Sequence, residues 1–195
     1  MAEKTANATT RSDAPRGRQQ RSSRRDERRN KRDRDDAPKE FEEVVINIDR
    51  VARVVKGGRR FRFKALVVVG NRKDKVGVGV AKGQDVQTAI SKATDVAKKN
   101  LIIIPLYKDT IPHDSETRTS GAHVLIKPAA PGTGIIAGGV IRQIIGVTGI
   151  RNMLSKSLGS TNKVNIAYAT IKALSSLVPH DQWVGVEKKS KRGTK

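Results

Sequence analysis

The fold is decided by residues 44–80, which read VVINIDRVARVVKGGRRFRFKALVVVGNRKDKVGVGV. Three runs rich in β-branched residues are separated by two turn signals, at residues 56–59 and 70–75. In the second run, apolar and basic positions alternate as strand side chains do: Phe61, Phe63, Ala65, Val67 and Val69 share one face, and Arg60, Arg62 and Lys64 the other. The stretch therefore predicts a three-stranded antiparallel meander with a basic first turn.

A helix is predicted directly after the meander. Asp85 is a typical N-cap residue, and apolar residues recur at helical spacing from Val86 to Ala97. Lys98 and Lys99 suit the last turn, where cations meet the negative end of the helix dipole. Together these elements predict a small β-β-β-α domain over residues 43–100.

Residues 101–178 predict a second domain, with the element order β-β-α-β-α. Strands are expected at residues 101–107, 121–127 and 153–158, with a polar loop between the first two. A glycine-rich stretch opens the first helix, and Asn162 caps the last one, whose predicted apolar stripe is Val164, Ala167, Tyr168, Ile171 and Leu174. The predicted fold class is α+β.

The two ends of the chain differ from this core in composition. Residues 1–42 are rich in arginine, and their first 40 positions hold no Val, Ile, Leu, Phe, Tyr or Trp. Such a segment cannot bury enough apolar surface to repay its chain entropy, so we expect it to be disordered. It is either a solubilising tail or, as the clustered arginines favour, an extension that becomes ordered on RNA. Residues 179–195 are predicted to be a basic tail.

The overall charge favours a polyanionic partner. The chain carries 40 Lys and Arg against 19 Asp and Glu, a formal charge of +21, and its segment from Arg118 to Lys172 holds no carboxylate. No apolar run approaches the roughly 20 residues of a membrane span, so no membrane partner is expected. Without cysteines or a signal peptide, the cytoplasm is the simplest location. Aromatic residues make up 3%, too few for a base-stacking platform, which favours folded RNA bound through its backbone.

The basic turn is the best candidate RNA site. Gly57 and Gly58 allow the backbone to approach a phosphate closely, because no side chain is in the way. An ordinary hairpin with solvated charges is the alternative interpretation. The predicted RNA-binding residues are Arg53, Lys56, Gly57, Gly58, Arg59, Arg60, Arg62 and Lys64.

The glycine-rich stretch imitates a nucleotide site. Residues 132–137, GTGIIA, have the G-x-G-x-x-A spacing that holds a pyrophosphate at a helix start. Such a site also needs an acid about 20 residues further on, and none occurs between Glu116 and Asp181. We therefore predict no cofactor and no small-molecule substrate, although the glycine-lined helix start still offers N–H groups to a close partner.

Catalytic residues are not predicted. The three histidines, His113, His123 and His180, fall in different predicted elements and lack metal-ligand spacing. His113, Asp114 and Glu116 could be drawn as an acid–base cluster, but a polar surface loop is the preferred interpretation. We predict no active site and no metal site.

These segments resemble bacterial small-subunit ribosomal protein five over residues 43–177. The resemblance rests on Gly58-Arg59, the Val68-Val69-Gly70-Asn71 turn, Val76-Gly77-Val78-Gly79, residues 132–139 (GTGIIAGG) and residues 159–162 (GSTN). One departure is Asp74, where this family usually has glycine. The long arginine-rich N-terminus also exceeds the family's core.

The resemblance implies an N-terminal domain similar to double-stranded-RNA-binding domains. It further implies binding of small-subunit ribosomal RNA, contacts with small-subunit proteins four and eight, and an influence on decoding accuracy where the head meets the body. The loop matching residues 55–59 would reach head RNA. Gly132, Gly134 and Arg142 would lie at a protein interface, with Gly134 and Arg142 at the contact with protein four.

Three functional hypotheses remain open from the sequence. The first is a structural protein of the ribosome in the cytoplasm, and the second is a free RNA-binding processing or assembly factor. The third is an enzyme that uses the second domain, but a fold shared with enzymes does not by itself imply activity.

Overall fold

The computed structural model describes residues 40–183. The predictions for residues 1–39 and 184–195, which include most of the arginine-rich extension and of the basic tail, lie outside the described residues. The strands are β1 (Glu42–Val55), β2 (Gly58–Gly70), β3 (Lys75–Gly83), β4 (Leu101–Ile103), β5 (Ser115–Thr119), β6 (Ala122–Pro128), β7 (Ile135–Ile136) and β8 (Met153–Ser157). The helices are α1 (Val86–Lys99), α2 (Gly139–Gly146) and α3 (Lys163–Ser175), and a 3-10 turn covers His180–Gln182. The α+β class is confirmed.

The first sheet has the order β1-β2-β3-β4, with every neighbouring pair antiparallel. The predicted meander is confirmed, and Val55 pairs with Gly58, so only Lys56 and Gly57 form the turn between β1 and β2. The strand predicted over residues 101–107 is too long. Only Leu101–Ile103 is a strand, and it completes the first sheet beside β3 instead of belonging to the second. The domain boundaries at 42/43, 100/101 and 178/179 remain predictions.

Helix α1 packs unusually close to β3. Its N-terminus lies where predicted, with the Asp85 N–H donating to Thr88 Oγ1 at 3.2 Å, and it buries Ala89, Ala93 and Ala97. These small side chains face the glycines that alternate with the valines of β3. A Cβ on Gly79 would lie 2.6 Å from the backbone nitrogen of Ala97 and closer still to the carbonyl oxygen of Ala93. Glycine is therefore required for the helix to lie on this strand.

The second sheet has the order β5-β6-β8-β7, with β7 parallel to β8 and the other pairs antiparallel. Strand β5 was predicted as part of a polar loop, and that prediction is wrong. Its sequence, SETRT, has no apolar residue, yet Thr117 Oγ1 donates to the carbonyl of Ala169 in α3 at 2.9 Å. Tyr168, predicted in the apolar stripe of α3, is exposed, and Ile166 and Thr170 are buried in that helix.

The main hydrophobic core joins both halves of the chain. Leu66 and Val68 of β2 and Val76 and Val78 of β3 belong to the same buried cluster as the inner faces of β6, α2 and α3. The opposite face of β2 forms a smaller cluster with the alanines of α1. The C-terminal half of β2 is therefore buried on both faces, and the N-terminal half of the strand is not.

The turn between β2 and β3 accommodates Asp74 without strain. Asn71 Oδ1 accepts hydrogen bonds from the backbone N–H groups of Lys73, Asp74 and Lys75 at 2.9, 3.0 and 2.9 Å. Asn71 Nδ2 donates to Asp74 Oδ1 at 2.9 Å, and the residue with positive φ is Arg72, not Asp74. The position therefore has no conformational need for the glycine that the family resemblance led us to expect. The N–H of Arg72 also donates to the carbonyl of Val147 at 2.9 Å, which joins the turn to the end of α2.

Candidate nucleic-acid interface

A two-stranded arm, residues 50–62, extends beyond the packed part of the first sheet. Within it only Val51 and Val55 are partly buried, and the other side chains are exposed. The sequence explains this change along β1 and β2. Residues 50–62 hold five arginines and one lysine, and such charged side chains are almost never fully buried unless they are paired.

One face of the arm concentrates unpaired positive charge. Arg53 and Arg60 are direct cross-strand partners, and Arg62, opposite Val51, is the next residue on the same face. Like charges in such a position destabilise a sheet by about 0.2–1 kcal/mol. Within residues 40–183, none of these three arginines has a carboxylate within 4.0 Å. We call Arg53, Arg60 and Arg62 the basic face; with Val51 and Lys82 they line a shallow depression.

Lys64 differs from the other predicted RNA-binding residues. Its Nζ lies 2.8 Å from Asp49 Oδ2, on the cross-strand partner of Lys64, and only a quarter of its side chain is exposed. The hydrogen bond from Lys64, followed by one from Asn47, lowers the pKa of Asp49 against the opposing effect of burial. Lys64 therefore anchors the base of the arm and contributes little free charge to it.

The remaining predicted residues lie at the tip and on the opposite face. Lys56 and Gly57 form the turn, and a Cβ added at Gly57 or Gly58 would meet nothing within 4 Å. Arg59 is the partner of Val54, so strand alternation directs it away from Arg60. The arm thus carries seven of the eight predicted positions and divides them between its tip and its two faces, and Lys64 lies at its base.

Arg50 was not among the predicted residues. Its guanidinium carbon lies 3.9 Å from the centroid of the Phe61 ring, within the range of a cation–π interaction. Arg50 and Phe61 belong to the face that also carries Arg59, since Ala52 pairs with Phe61 and Arg50 with Phe63. The cross-strand pairing of β1 with β2 places Arg50 near Phe61. That pairing depends on the strand register, which cannot be inferred from the sequence before the length of the turn is known.

The glycine-rich loop is a second exposed surface. Gly132 and Gly134 have φ of 92° and 72°, and both donate their N–H groups to Asn152 Oδ1, at 3.1 and 3.0 Å. A Cβ at either glycine would meet nothing within 4 Å, so this surface is open to a partner. Both glycines precede β7 and lie outside the turn that leads from β7 into α2. In a dinucleotide site, the glycines lie in the turn between a strand and the following helix.

Arg142 and Asn152 brace this loop from two sides. Arg142 Nη2 donates to the carbonyl of Ile135 at 3.0 Å, and the N–H of Met153 donates to the carbonyl of Gly134 at 3.0 Å. All three predicted protein-interface residues, Gly132, Gly134 and Arg142, therefore belong to one surface. Asn152, which is 7% exposed, was not predicted.

Replacing Asn152 with alanine is expected to loosen the glycine loop. The substitution leaves the N–H groups of Gly132 and Gly134 without their acceptor, at a cost of about 1–3 kcal/mol in the free energy of unfolding. Denaturant unfolding measures that cost, and amide exchange of the two glycines measures the loosening. Asn152→Asp keeps an acceptor oxygen and serves as the control. An equal loss of unfolding free energy in both variants would contradict the role of Asn152 as the acceptor of these two hydrogen bonds.

The three histidines lie in two separate places of the fold. His123 Nε2 pairs with Glu116 Oε1 on the neighbouring strand. His113 Nε2 accepts the N–H of Val178 at 2.9 Å, and its ring, like that of His180, lies beside Trp183. Among residues 40–183, no group of three or more acidic or histidine side chains could hold a metal ion. Nor does that range contain a helix long and apolar enough to cross a membrane.

Comparison with known proteins gives consistent matches to both halves. Residues 41–105 match the family described as "Ribosomal protein S5, N-terminal domain", and residues 117–184 match "Ribosomal protein S5, C-terminal domain". The chain is 54% identical over 138 residues to small ribosomal subunit protein uS5 of Campylobacter jejuni, covering 71% of this chain and 94% of that protein. It is 52% and 48% identical over 139 residues to the uS5 proteins of Pseudothermotoga lettingae and Thermotoga maritima, covering 71% of this chain and 78% of each of theirs.

Proposed function

The chain belongs to the ribosomal protein S5 family, and from that premise we propose that it is a non-catalytic constituent of the small ribosomal subunit that binds small-subunit ribosomal RNA through its arm. It acts in the cytoplasm, within the ribosome. It holds the head of the subunit relative to the body, and through that position it contributes to translational accuracy.

The basic face of the arm is the observation that carries the RNA-binding proposal. Arg53 and Arg60 repel each other in the free protein, and within the described residues no carboxylate of the chain neutralises them. A phosphate placed between the two guanidinium groups turns that repulsion into two charge-assisted interactions. The arrangement therefore favours a partner with a dense negative backbone over a neutral or mixed surface.

Two protein partners complete the proposal. Small-subunit proteins four and eight bind the second half of the chain, with protein four at the glycine loop and Arg142. The open space at Gly132 and Gly134 supports this, because a closely fitting partner can reach the backbone there. A larger side chain at either position would fill the space that the partner is proposed to occupy.

The experiment that tests the ribosomal role is co-sedimentation through a high-salt wash. A constituent is expected to remain with small subunits at one copy each, because protein and RNA contacts on several faces hold it. A processing or assembly factor held by phosphate contacts alone would wash off, since such contacts weaken steeply with salt. Substoichiometric recovery after the wash would overturn the proposal in favour of the free factor.

Replacing Arg142 with glutamate is expected to weaken the contact with protein four and to change the miscoding rate. The substitution reverses the exposed charge and removes the hydrogen bond to Ile135, so the loop next to Gly134 loses one of its supports. A dual-reporter assay of stop-codon readthrough measures accuracy in cells that carry the variant. Arg151→Glu is the matched control. Arg151 is also an exposed arginine near this loop, and its Nε lies 3.9 Å from Asp109 Oδ1. Equal readthrough in Arg142→Glu and wild type would contradict the proposed contact.

A further inference from the structure

The face of the arm opposite to the basic face is apolar at its centre. Phe61 is 49% exposed and Val54 is 76% exposed, and Ala52, the cross-strand partner of Phe61, lies between them. Arg50 and Arg59 flank these residues on the same face. We call Ala52, Val54, Phe61 and Arg50 the stacking face.

The core does not explain an exposed phenylalanine here. Phe63, two residues further along the same face of β2, packs against the alanine cluster beneath α1, whereas Phe61 is not part of either core cluster. Its ring contacts the Arg50 guanidinium instead, at 3.9 Å from the centroid. The guanidinium lies over the ring, so the pair presents a cation stacked on a ring at the surface, outside the packed part of the molecule.

The size and charge of the face select its partner. One ring and two small side chains are far too little for a protein interface, which needs about 800 Å² on each partner. They match the flat surface of a single base, and aromatic rings and guanidinium planes are the groups on which proteins stack splayed-out bases. The flanking Arg50 and Arg59 have no carboxylate within 4.0 Å in residues 40–183, so they complement the phosphates on either side of such a base.

We propose that the stacking face binds one unpaired nucleobase of the RNA, stacked on the Phe61–Arg50 pair, while the basic face holds the phosphate backbone. The inference rests on the proposed RNA-binding function and adds to it a second mode of contact. The arm then lies between two RNA segments, one gripped by charge and the other by stacking. A low aromatic content is compatible with this, because a single ring suffices for a single base.

The test separates the two contacts by their salt dependence. Affinity of the full chain for small-subunit ribosomal RNA transcribed in vitro is measured over a range of KCl concentrations. Phe61→Leu is expected to weaken binding by about 5- to 150-fold, the loss of one base–aromatic stack, at every salt concentration. The slope of log affinity against log salt stays as in the wild type, because no phosphate contact is lost.

Two further variants control for folding and for simple loss of apolar surface. Phe61→Tyr keeps a stacking ring and is expected to bind as the wild type does. Ile103→Ala trims an apolar side chain that is 68% exposed in β4, outside the arm, and it too is expected to bind normally. A direct readout comes from Phe61→Trp in a Trp183→Phe background, whose fluorescence is expected to be quenched when the RNA base stacks on the indole.

The possible results distinguish this inference from the function on which it rests. If the wild-type chain does not bind the RNA at all, the proposed function fails. If it binds and Phe61→Leu binds equally well, or the indole is not quenched, the stacking contact is overturned while the function stands. A reduced salt slope in Phe61→Leu would also overturn it, since the ring would then act through the arginines. If Phe61→Leu binds the RNA normally but is poorly incorporated into subunits, the stacking face contacts a protein instead of a base.

Discussion

Gly79→Ala is expected to destabilise the protein by about 3–5 kcal/mol, a large part of the roughly 5–15 kcal/mol that stabilises a typical domain. The added methyl group would overlap the backbone of α1 at Ala93 and Ala97, where no side chain can rotate away. Helix and strand must separate, and the small cluster of Ala65, Val67 and the α1 alanines opens with them. Denaturant unfolding monitored by circular dichroism measures the loss.

Gly146→Ala is the matched control for this prediction. Gly146 ends helix α2, has no positive φ, and a Cβ there would meet nothing within 4 Å. The same chemical change is therefore expected to stabilise the protein slightly, by up to about 1 kcal/mol, through helix propensity. If both variants shifted stability alike, close approach would not be the reason for glycine at position 79.

Replacing Arg53, Arg60 and Arg62 together with alanine is expected to produce opposite effects on RNA binding and on stability. The slope of log affinity against log salt should fall by about 2–3, at roughly 0.7–0.9 for each lost phosphate contact. The free protein should become about 0.2–1 kcal/mol more stable, because the repulsion between Arg53 and Arg60 is removed. Filter binding over a salt series and thermal unfolding of the same preparation measure the two quantities.

The opposite signs exclude misfolding as the cause of weaker binding. A triple variant of equal charge, with alanine at Lys92, Lys99 and Lys172, removes exposed cations from α1 and α3 and keeps the arm intact. Its salt slope is expected to change far less. Equal slopes for the two variants would mean that the RNA responds to total charge and would remove the arm from the interface.

The first sheet could be predicted from the sequence because apolar residues alternate regularly with other residues along its strands. A turn within residues 56–59, the alternation in β2 and the Asp85 cap were all predicted, because each depends on residues next to one another along the chain. The assignment of β4 failed because residues 101–107 are a single apolar run, and composition cannot say which sheet such a strand will join. Strand β5 was missed because its inward residues are polar. Thr117 Oγ1 donates to the carbonyl of Ala169, and Ser115 Oγ lies 3.0 Å from Ser176 Oγ.

The sequence indicated which segments carry the candidate site, but neither all of its residues nor its geometry. Arg59 and Arg60 are neighbours in sequence and lie on opposite faces, so a cluster of basic residues in the sequence became two surfaces in the fold. Asn152 and Arg50 were missed because each acts through a partner far away in the sequence: 18 residues separate Asn152 from Gly134. Such pairs follow from the register of strands and the path of loops, which local patterns do not contain.

The shared core has a consequence for the order in which the chain folds during synthesis. The first sheet has all its strands once Ile103 is made, but the apolar face that carries Leu66 and Val68 is covered only when α3, ending at Ser175, follows. At about 5–20 residues per second, that interval lasts roughly 4–14 s. For those seconds the nascent chain carries a paired sheet with one bare apolar side, which is when aggregation or capture by a chaperone competes with its completion.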